Sequence, residues 1–333
     1  MDALAGLLDG PRARGAFVLR ALMSPPWSMR IEDHAPLSVF VVVRGHAWVV
    51  PDDGTPVLAE AGAVVVVRGP QPYTVAHDPA SPPHVLIDEQ QQCFTLDGTP
   101  LMQSMDLGVR AWGNDRHGAA DLLVATYTDP GAVGRRVLST LPHVIVLPAD
   151  AWDGALVPLL RSEIAKDEPG QEAVLDRLVD LLLVGALRAW FARPDGEAPG
   201  WYRAQADPVV GQAIRLLHHS PERPWTVGSL AHEVGLSRAA LARRFHEVVG
   251  EPPMAYLTQW RLTLAADLLH EPGSTIESVA QLVGYGSAFA LSTAFKRVRG
   301  VSPREHRAAA RRGAGGLDHA APQRTADDTR AAA

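Results

Sequence analysis

Arg238 and Arg243 on one segment, and Lys296 and Arg297 on another, are the residues of this 333-residue chain whose types and positions suit a definite chemistry. They are fixed positive charges able to hydrogen-bond phosphates and base edges. With Leu241 and Phe245 assigned inward on a helix, Arg238, Ala239, Ala242 and Arg243 are the outward positions of its N-terminal turns, and Ser237 stands before them as the cap. With Leu291 and Phe295 inward, the matching outward positions are Ala288, Phe289, Ser292 and Thr293, with Ser287 before them and Lys296 and Arg297 after them. Arg243 is the strongest candidate for direct readout, because a guanidinium bonds guanine O6 and N7 bidentately for about 1–3 kcal/mol of discrimination. Ala239 and Ala242 are either thymine-methyl contacts or small residues tolerated on an exposed helix. Less base readout is expected from the second set. It should instead anchor phosphates through Ser287, Ser292, Lys296 and Arg297. Phe289 leaves two readings open, a thymine contact or packing on a neighbouring helix.

Both segments belong to a repeated unit. Phe245, Val248, Gly250 and Pro253 recur fifty positions later as Phe295, Val298, Gly300 and Pro303, and Ala231 and Gly235 recur at an offset of 49 as Ala280 and Gly284. In the first copy Thr226 can cap a helix through Leu230, Ala231 and Val234, Gly235 supplies a left-handed turn, and Ser237 caps the next helix. Thr275, Gly284 and Ser287 repeat the plan. A small residue at Ala231 or Ala280 lets two steeply crossed helices approach closely. Met254 to His270 reads as one helix between the copies, with Tyr256, Leu257, Trp260, Leu264, Leu268 and Leu269 on its buried sides. It would span about 25 Å. A strut of that length can set two helices into successive major grooves, about 34 Å apart.

The charge distribution agrees with this reading. Residues 207–312 hold 13 basic and 9 acidic residues, net +4, whereas residues 1–206 hold 16 and 25, net −9. A basic module beside an acidic one suits a polyanion-binding half joined to a non-binding half.

From Leu37 to about Leu147 the pattern is of short strands: β-branched runs such as Val39–Val43 and Val64–Val67 alternate with turns such as Pro51-Asp52-Asp53-Gly54. Strands are also expected at His84–Ile87, Asp121–Tyr127 and His143–Leu147, and a loop at Asp97–Gly118. The spacing argues for an antiparallel barrel or sandwich. Beyond Asp150 the period becomes helical, over Trp152–Lys166 and Gln171–Ala192, the second ending at Arg193–Gly196. That second helix is apolar over more than one face, so it packs on its own barrel, forms a subunit interface, or does both. Glu197–Gly200 reads as a linker and Gly313–Ala333 as a disordered tail. The fold class is therefore α+β multidomain: an N-terminal antiparallel β-barrel with flanking helices and a C-terminal all-α tandem helix-turn-helix region. The expected divisions are 1–150, 151–200, 205–310 and 313–333.

A composition of 47% hydrophobic and 20% charged residues is that of a globular protein. Cys93 is the only cysteine, which rules out an intramolecular disulfide and a cysteine-rich zinc site. With no long uncharged apolar stretch and no leader-like start at Met1–Gly15, a cytoplasmic location without membrane contact is expected.

The region Asp207–Arg307 resembles the DNA-binding domain of AraC/XylS family transcription regulators. The residues carrying the resemblance are Trp225-Thr226, Leu230-Ala231, Gly235-Leu236-Ser237, Leu241, Arg244-Phe245, Gly250, Pro253, Tyr256-Leu257, Trp260-Arg261, Ala265, Leu268-Leu269, Ile276, Val279-Ala280, Val283-Gly284-Tyr285, Ser287, Phe295-Lys296-Arg297, Gly300 and Ser302-Pro303. The chain departs from that family at Thr293, where arginine is frequent. The N-terminal half is similar, on softer motifs (Ser24-Pro25-Pro26-Trp27, Val42 to Trp48, Ala61-Gly62, Arg68-Gly69-Pro70, Leu141-Pro142), to the cupin-like sensor domain of some members. The resemblance implies a regulator that binds double-stranded DNA, responds to a small-molecule effector or dimerises through the barrel, and contacts RNA polymerase as an activator or repressor. It implies no catalytic residue and no cofactor.

Two alternatives remain. Cupin folds also house metal-dependent enzymes, but the usual His-x-His pair is missing, and His34, His46, His77, His84, His117 and His143 are scattered, with Tyr73 where related sensors often carry histidine. Three ligands converging on an ion, Cys93 among them, stay open. The barrel could also be a dimerisation module without ligand. Trp27, Trp48, Tyr73 and Trp112 are either pocket-lining or ordinary core and surface aromatics, and the ligand-binding residues are unknown.

Overall fold

The unbroken apolar runs of Leu37–Arg44 and Val64–Arg68 are what strands buried on both faces require. The computed structural model describes residues 17–127, 134, 138–193, 198–271 and 273–314. Within it these runs form β3 (Leu37–Arg44) and β6 (Val64–Arg68), paired antiparallel in the middle layer of a three-layer arrangement. Their sheet also contains β1 (Phe17–Met23), β10 (Asp106–Gly108), β11 (Ala111–Gly113), β12 (Ala120–Tyr127) and β13 (Val144–Leu147), in the order β10-β11-β1-β12-β3-β6-β13. A second sheet contains β2 (Ser28–Ile31), β4 (His46–Pro51), β5 (Val57–Glu60), β7 (Tyr73–Ala76), β8 (Val85–Ile87) and β9 (Cys93–Phe94), in the order β5-β4-β7-β2-β8-β9.

Alternation sorts the side chains between two cores. Phe40, Val42, Val65 and Val67 point into the space between the sheets, where Met29, Ile31, Val49 and Val75 meet them. Val39, Val41, Val64 and Val66 point the other way, onto α1 (Leu156–Ile164) and α2 (Gln171–Phe191). The strand-rich expectation holds, but among the described residues the barrel is not closed: two sheets face each other, each with open edges, and there are local differences. The pairs β1–β11 and β2–β8 run parallel, and β10 and β11 lie inside the stretch expected as loop. β1 and β2 precede the first strand read from the sequence. Helix α1 starts later than expected because Trp152 is docked separately: its indole N–H donates to the Gly62 carbonyl at 3.0 Å.

The linker expectation needs correction. Glu197 lies outside the described residues, but Gly200 opens a short helix, α3 (Gly200–Arg203), which buries Trp201, and lies so close to the Val249 carbonyl that a Cβ there would collide with it. Phe191, Trp201 and Tyr202 form an aromatic cluster with ring centroids 4.8–6.0 Å apart, so one apolar core runs from the barrel's helices into the C-terminal region. There follow α4 (Pro208–His219), α5 (Val227–Glu233), α6 (Arg238–Val249), α7 (Pro253–Leu268), α8 (Ile276–Leu282), α9 (Ala288–Arg299) and α10 (Pro303–Ala314). Of the tail expected from Gly313, the first two residues close α10 and the rest lies outside the described residues. Among the described residues no helix is long and apolar enough to cross a membrane.

One ion pair is set deep in the first sheet. Arg20 on β1 grips the Asp121 carboxylate on β12 bidentately, Nε at 2.9 Å and Nη2 at 2.6 Å, and Asp121 is only 1% exposed. Removing the carboxylate strands a guanidinium that is three-quarters covered. Asp121→Ala should therefore lower stability by about 2–3 kcal/mol, read as a lower urea midpoint of the barrel transition.

Candidate nucleic-acid interface

Local chemistry builds each helix pair. Thr226 and Thr275 both form reciprocal capping boxes, with Ser229 and Ser278 respectively. Ser237 and Ser287 cap the following helices by accepting the amide N–H of Ala240 and Ala290, at 3.2 Å in each copy. Gly235 (φ +70°) and Gly284 (φ +80°) occupy the left-handed turns between the helices. Ala231 and Ala280 are buried at the crossings, and Leu241, Phe245, Leu291 and Phe295 are fully enclosed.

With those anchors inward, the outer faces of α6 and α9 are open. Ser237, Arg238, Ala239 and Arg243 are exposed and Ala242 is half-buried. Arg243 makes only a loose 3.9 Å pair with Glu247, which leaves its guanidinium available. On α9, Thr293, Lys296 and Arg297 are exposed, and Ser287, Ala288 and Ser292 are half-buried. Phe289 is 81% exposed, so it does not pack on α7. The two serines that cap use one lone pair in doing so and keep their hydroxyl protons.

Two features escaped sequence reasoning. The Ala288 amide donates to the Glu277 carboxylate at 3.1 Å, so a negative charge already satisfies the start of α9. Its counterpart in the first copy is Gly228, which leaves the start of α6 without that charge. The second feature is Asp207, which caps α4 by accepting from Val209 and Val210 at 3.0 Å and also accepts Arg244 Nε of α6 at 2.8 Å. Burial pushes the Asp207 carboxyl upward, but the Val210 amide, the Arg244 guanidinium and the Val209 amide outweigh it and hold the group below the usual carboxylate range.

Between the sheets lies a cavity of about 410 Å³. Its walls are mostly apolar (Met29, Phe40, Val75, Met102, Leu122, Val124), with Asp33, Gln91 and Arg110 among its polar groups. Tyr73 and Trp112 line it. Trp27 does not, being buried against His77, and Trp48 lines a separate shallow concavity with His46 and Leu58. Burial keeps the Tyr73 phenol protonated and pushes the Cys93 thiol up to about 12, so neither is an anion in the neutral range. Arg110 Nε donates to Gln171, the first residue of α2, at 3.3 Å, and the Gln171 amide in turn donates to the carbonyls of Glu163 and Lys166 at the end of α1. Among the described residues no three His, Cys, Asp or Glu side chains gather as a metal site.

Comparison with known proteins bears on this arrangement. Residues 2–192 match a family model described as Cupin, and residues 230–309 one described as Helix-turn-helix domain. Over 316 residues the chain is 31% identical to an AraC-like transcription regulator of Streptomyces lividans, covering 92% of this chain and 98% of that one. It is 29% identical over 313 residues to the HTH-type transcriptional regulator AlkR of Acinetobacter baylyi, covering 92% and 99%. The solved DNA-binding domain of AdpA, in complex with a target DNA, is 31% identical over 31% of this chain and 92% of that chain, at a TM-score of 0.29.

Asp207→Ala should cost the first unit about 1–2 kcal/mol. Because the folded carboxyl is depressed, its contribution is complete above the unfolded value of about 3.9 and is lost as pH falls through the lower folded value. Acid unfolding followed by circular dichroism should accordingly show wild type and variant converging below about pH 4.

Proposed function

This chain belongs to the AraC-like transcription regulators, a cupin domain followed by a helix-turn-helix DNA-binding domain, and from that premise we propose that α6 and α9 read one duplex while the barrel cavity takes the effector. The observation carrying the reading is that two helices of identical construction present open outer faces and are rooted on a single connecting helix. In this assignment residues 1–150 sense, 151–200 link and dimerise, and 205–310 bind DNA.

Arg243 reads a guanine, with Arg238, Ala239, Ala242 and Ser237 around it. On α9, Phe289, now clear of α7, takes the thymine-methyl role, flanked by Ala288, Ser292 and Thr293. Lys296 and Arg297 hold phosphates, with Ser287 as a lesser donor. The 16 residues of α7 correspond to about 24 Å, a length compatible with adjacent major grooves.

The cavity's apolar walls favour a largely apolar effector of modest size. Occupancy would act through Arg110 on Gln171 and hence on α2, whose far end reaches α3 and the Val249 end of α6 through the Phe191 cluster. Val174, Leu181 and Leu159 are exposed apolar residues on α2 and α1, and they supply a surface for a second copy of the chain. Contact with RNA polymerase follows for a regulator bound beside a promoter, and work on chromosomal DNA places the protein in the cytoplasm. The rival, a metal-dependent cupin enzyme, requires ligands gathered on one ion. The relatives' description as transcription regulators and the dispersed histidines both favour the regulator.

Sites recovered by immunoprecipitation of bound DNA should share a bipartite sequence. On such a site Arg243→Ala should erase preference at one position, a loss of about 1–3 kcal/mol for the cognate base only. Lys296→Ala should weaken binding on every sequence and reduce the salt slope by about 1. Equal effects of both changes on specific and random DNA would defeat the assignment.

A further inference from the structure

The two reading units rest on different apolar cores, and the boundary falls inside α7. Trp260 is the last α7 residue buried in the core shared with the first unit and the barrel, and Leu262 the first buried in the separate core of the second unit. Only Leu264 on α7 packs partly against both. Arg261 stands between them. Its Nε donates to the Pro221 carbonyl at 2.6 Å and its Nη2 to the Arg223 carbonyl at 2.8 Å, both in the loop joining α4 to α5. Burial pulls its pKa down, and the two carbonyls compensate the half-buried guanidinium for lost water.

The second unit meets this same loop at Gly284. A Cβ there would stand 2.7 Å from the Glu222 carbonyl oxygen, 2.8 Å from the Glu222 Cα and 2.8 Å from Arg261 Nη2. Its counterpart Gly235 has nothing within 4 Å, so the first copy needs glycine for its backbone angle alone and the second also needs the space. Loop, guanidinium and turn thus converge at the seam between the two units: Arg261 is hydrogen-bonded to the first unit's loop, and the second unit's turn lies against both.

We propose that Arg261, seated between the 221–223 carbonyls and Gly284, is a positioning residue that fixes the rotation and separation of α9 relative to α6, and so sets the half-site spacing the protein accepts. The proposal rests on the two-headed reading above. One extra base pair between half-sites displaces the second by about 3.4 Å and rotates it by about 35°. A clamped pair of heads cannot follow that shift, whereas a pair joined only by a helix with a thin apolar seam can.

The test uses the full-length protein on a duplex selected from a random pool, with one base pair inserted between the half-sites. Wild type should lose about tenfold or more in affinity, or about 1.4 kcal/mol. Arg261→Ala should reduce that penalty to about threefold or less while keeping wild-type affinity for the first half-site alone. Arg261→Lys, whose ammonium lacks the fork that spans two carbonyls, should behave as Arg261→Ala does. Gly284→Ala should also relax the spacing, and Gly235→Ala, equally strained in backbone angle, should not. An unchanged insertion penalty in Arg261→Ala overturns the clamp. Loss of first half-site binding in step with loss of thermal stability overturns it as well, by showing a purely structural role. A wild type indifferent to the second half-site contradicts the two-headed reading itself.

Discussion

Everything in the C-terminal half depends on α7 being buried on nearly every side. Pro253, Tyr256, Leu257 and Trp260 serve one core, and Leu262, Ala265, Ala266 and Leu269 serve the other or its edge. This helix carries both units, but its two halves lie in separate cores that only Leu264 on α7 bridges. Two short helix pairs, each too small to bury a sufficient core of its own, become one unit by sharing this element. The outward residues of α6 and α9 inherit their positions from it.

A related constraint governs the first half. β3 and β6 are apolar on both faces because one face packs in the core between the sheets and the other receives α1 and α2. Phe40 is the β3 residue at the cavity wall, and the reverse side of that strand, Val39 and Val41, belongs to the core that holds α1 and α2. Arg110 and Gln171 add a polar contact from the cavity wall to the start of α2. The sensing and reading halves are joined by continuous packing, and the expected linker at Gly200 is part of that packing.

The sequence was most legible where structure is made locally. Thr226, Ser237, Thr275 and Ser287 cap helices with neighbours three residues away, so spacing alone located them. The valine runs likewise announced β3 and β6. The misses are non-local: β1 and β2 carry Arg20 and Arg30 among their apolar residues, and they become strands through partners at residues 120–126 and 73–76. Spacing alone makes Trp152 helical, and its hydrogen bond to the Gly62 carbonyl has no signature in spacing. Arg261 and Glu277 sat in plain view, but their partners, the 221 and 223 carbonyls and the Ala288 amide, are backbone groups with no sequence signature. The aromatic set divided because alternation predicts which face a side chain takes, not which of two cavities lies beyond it.

The central claim is that two heads on one shared strut dock along the same face of a single duplex. Hydroxyl-radical footprinting of the full-length protein on its selected site tests this most directly. The account predicts two protected backbone patches centred about one helical turn, 10–10.5 base pairs, apart on one face. A single patch, or two patches offset by about half a turn onto opposite faces, would contradict it.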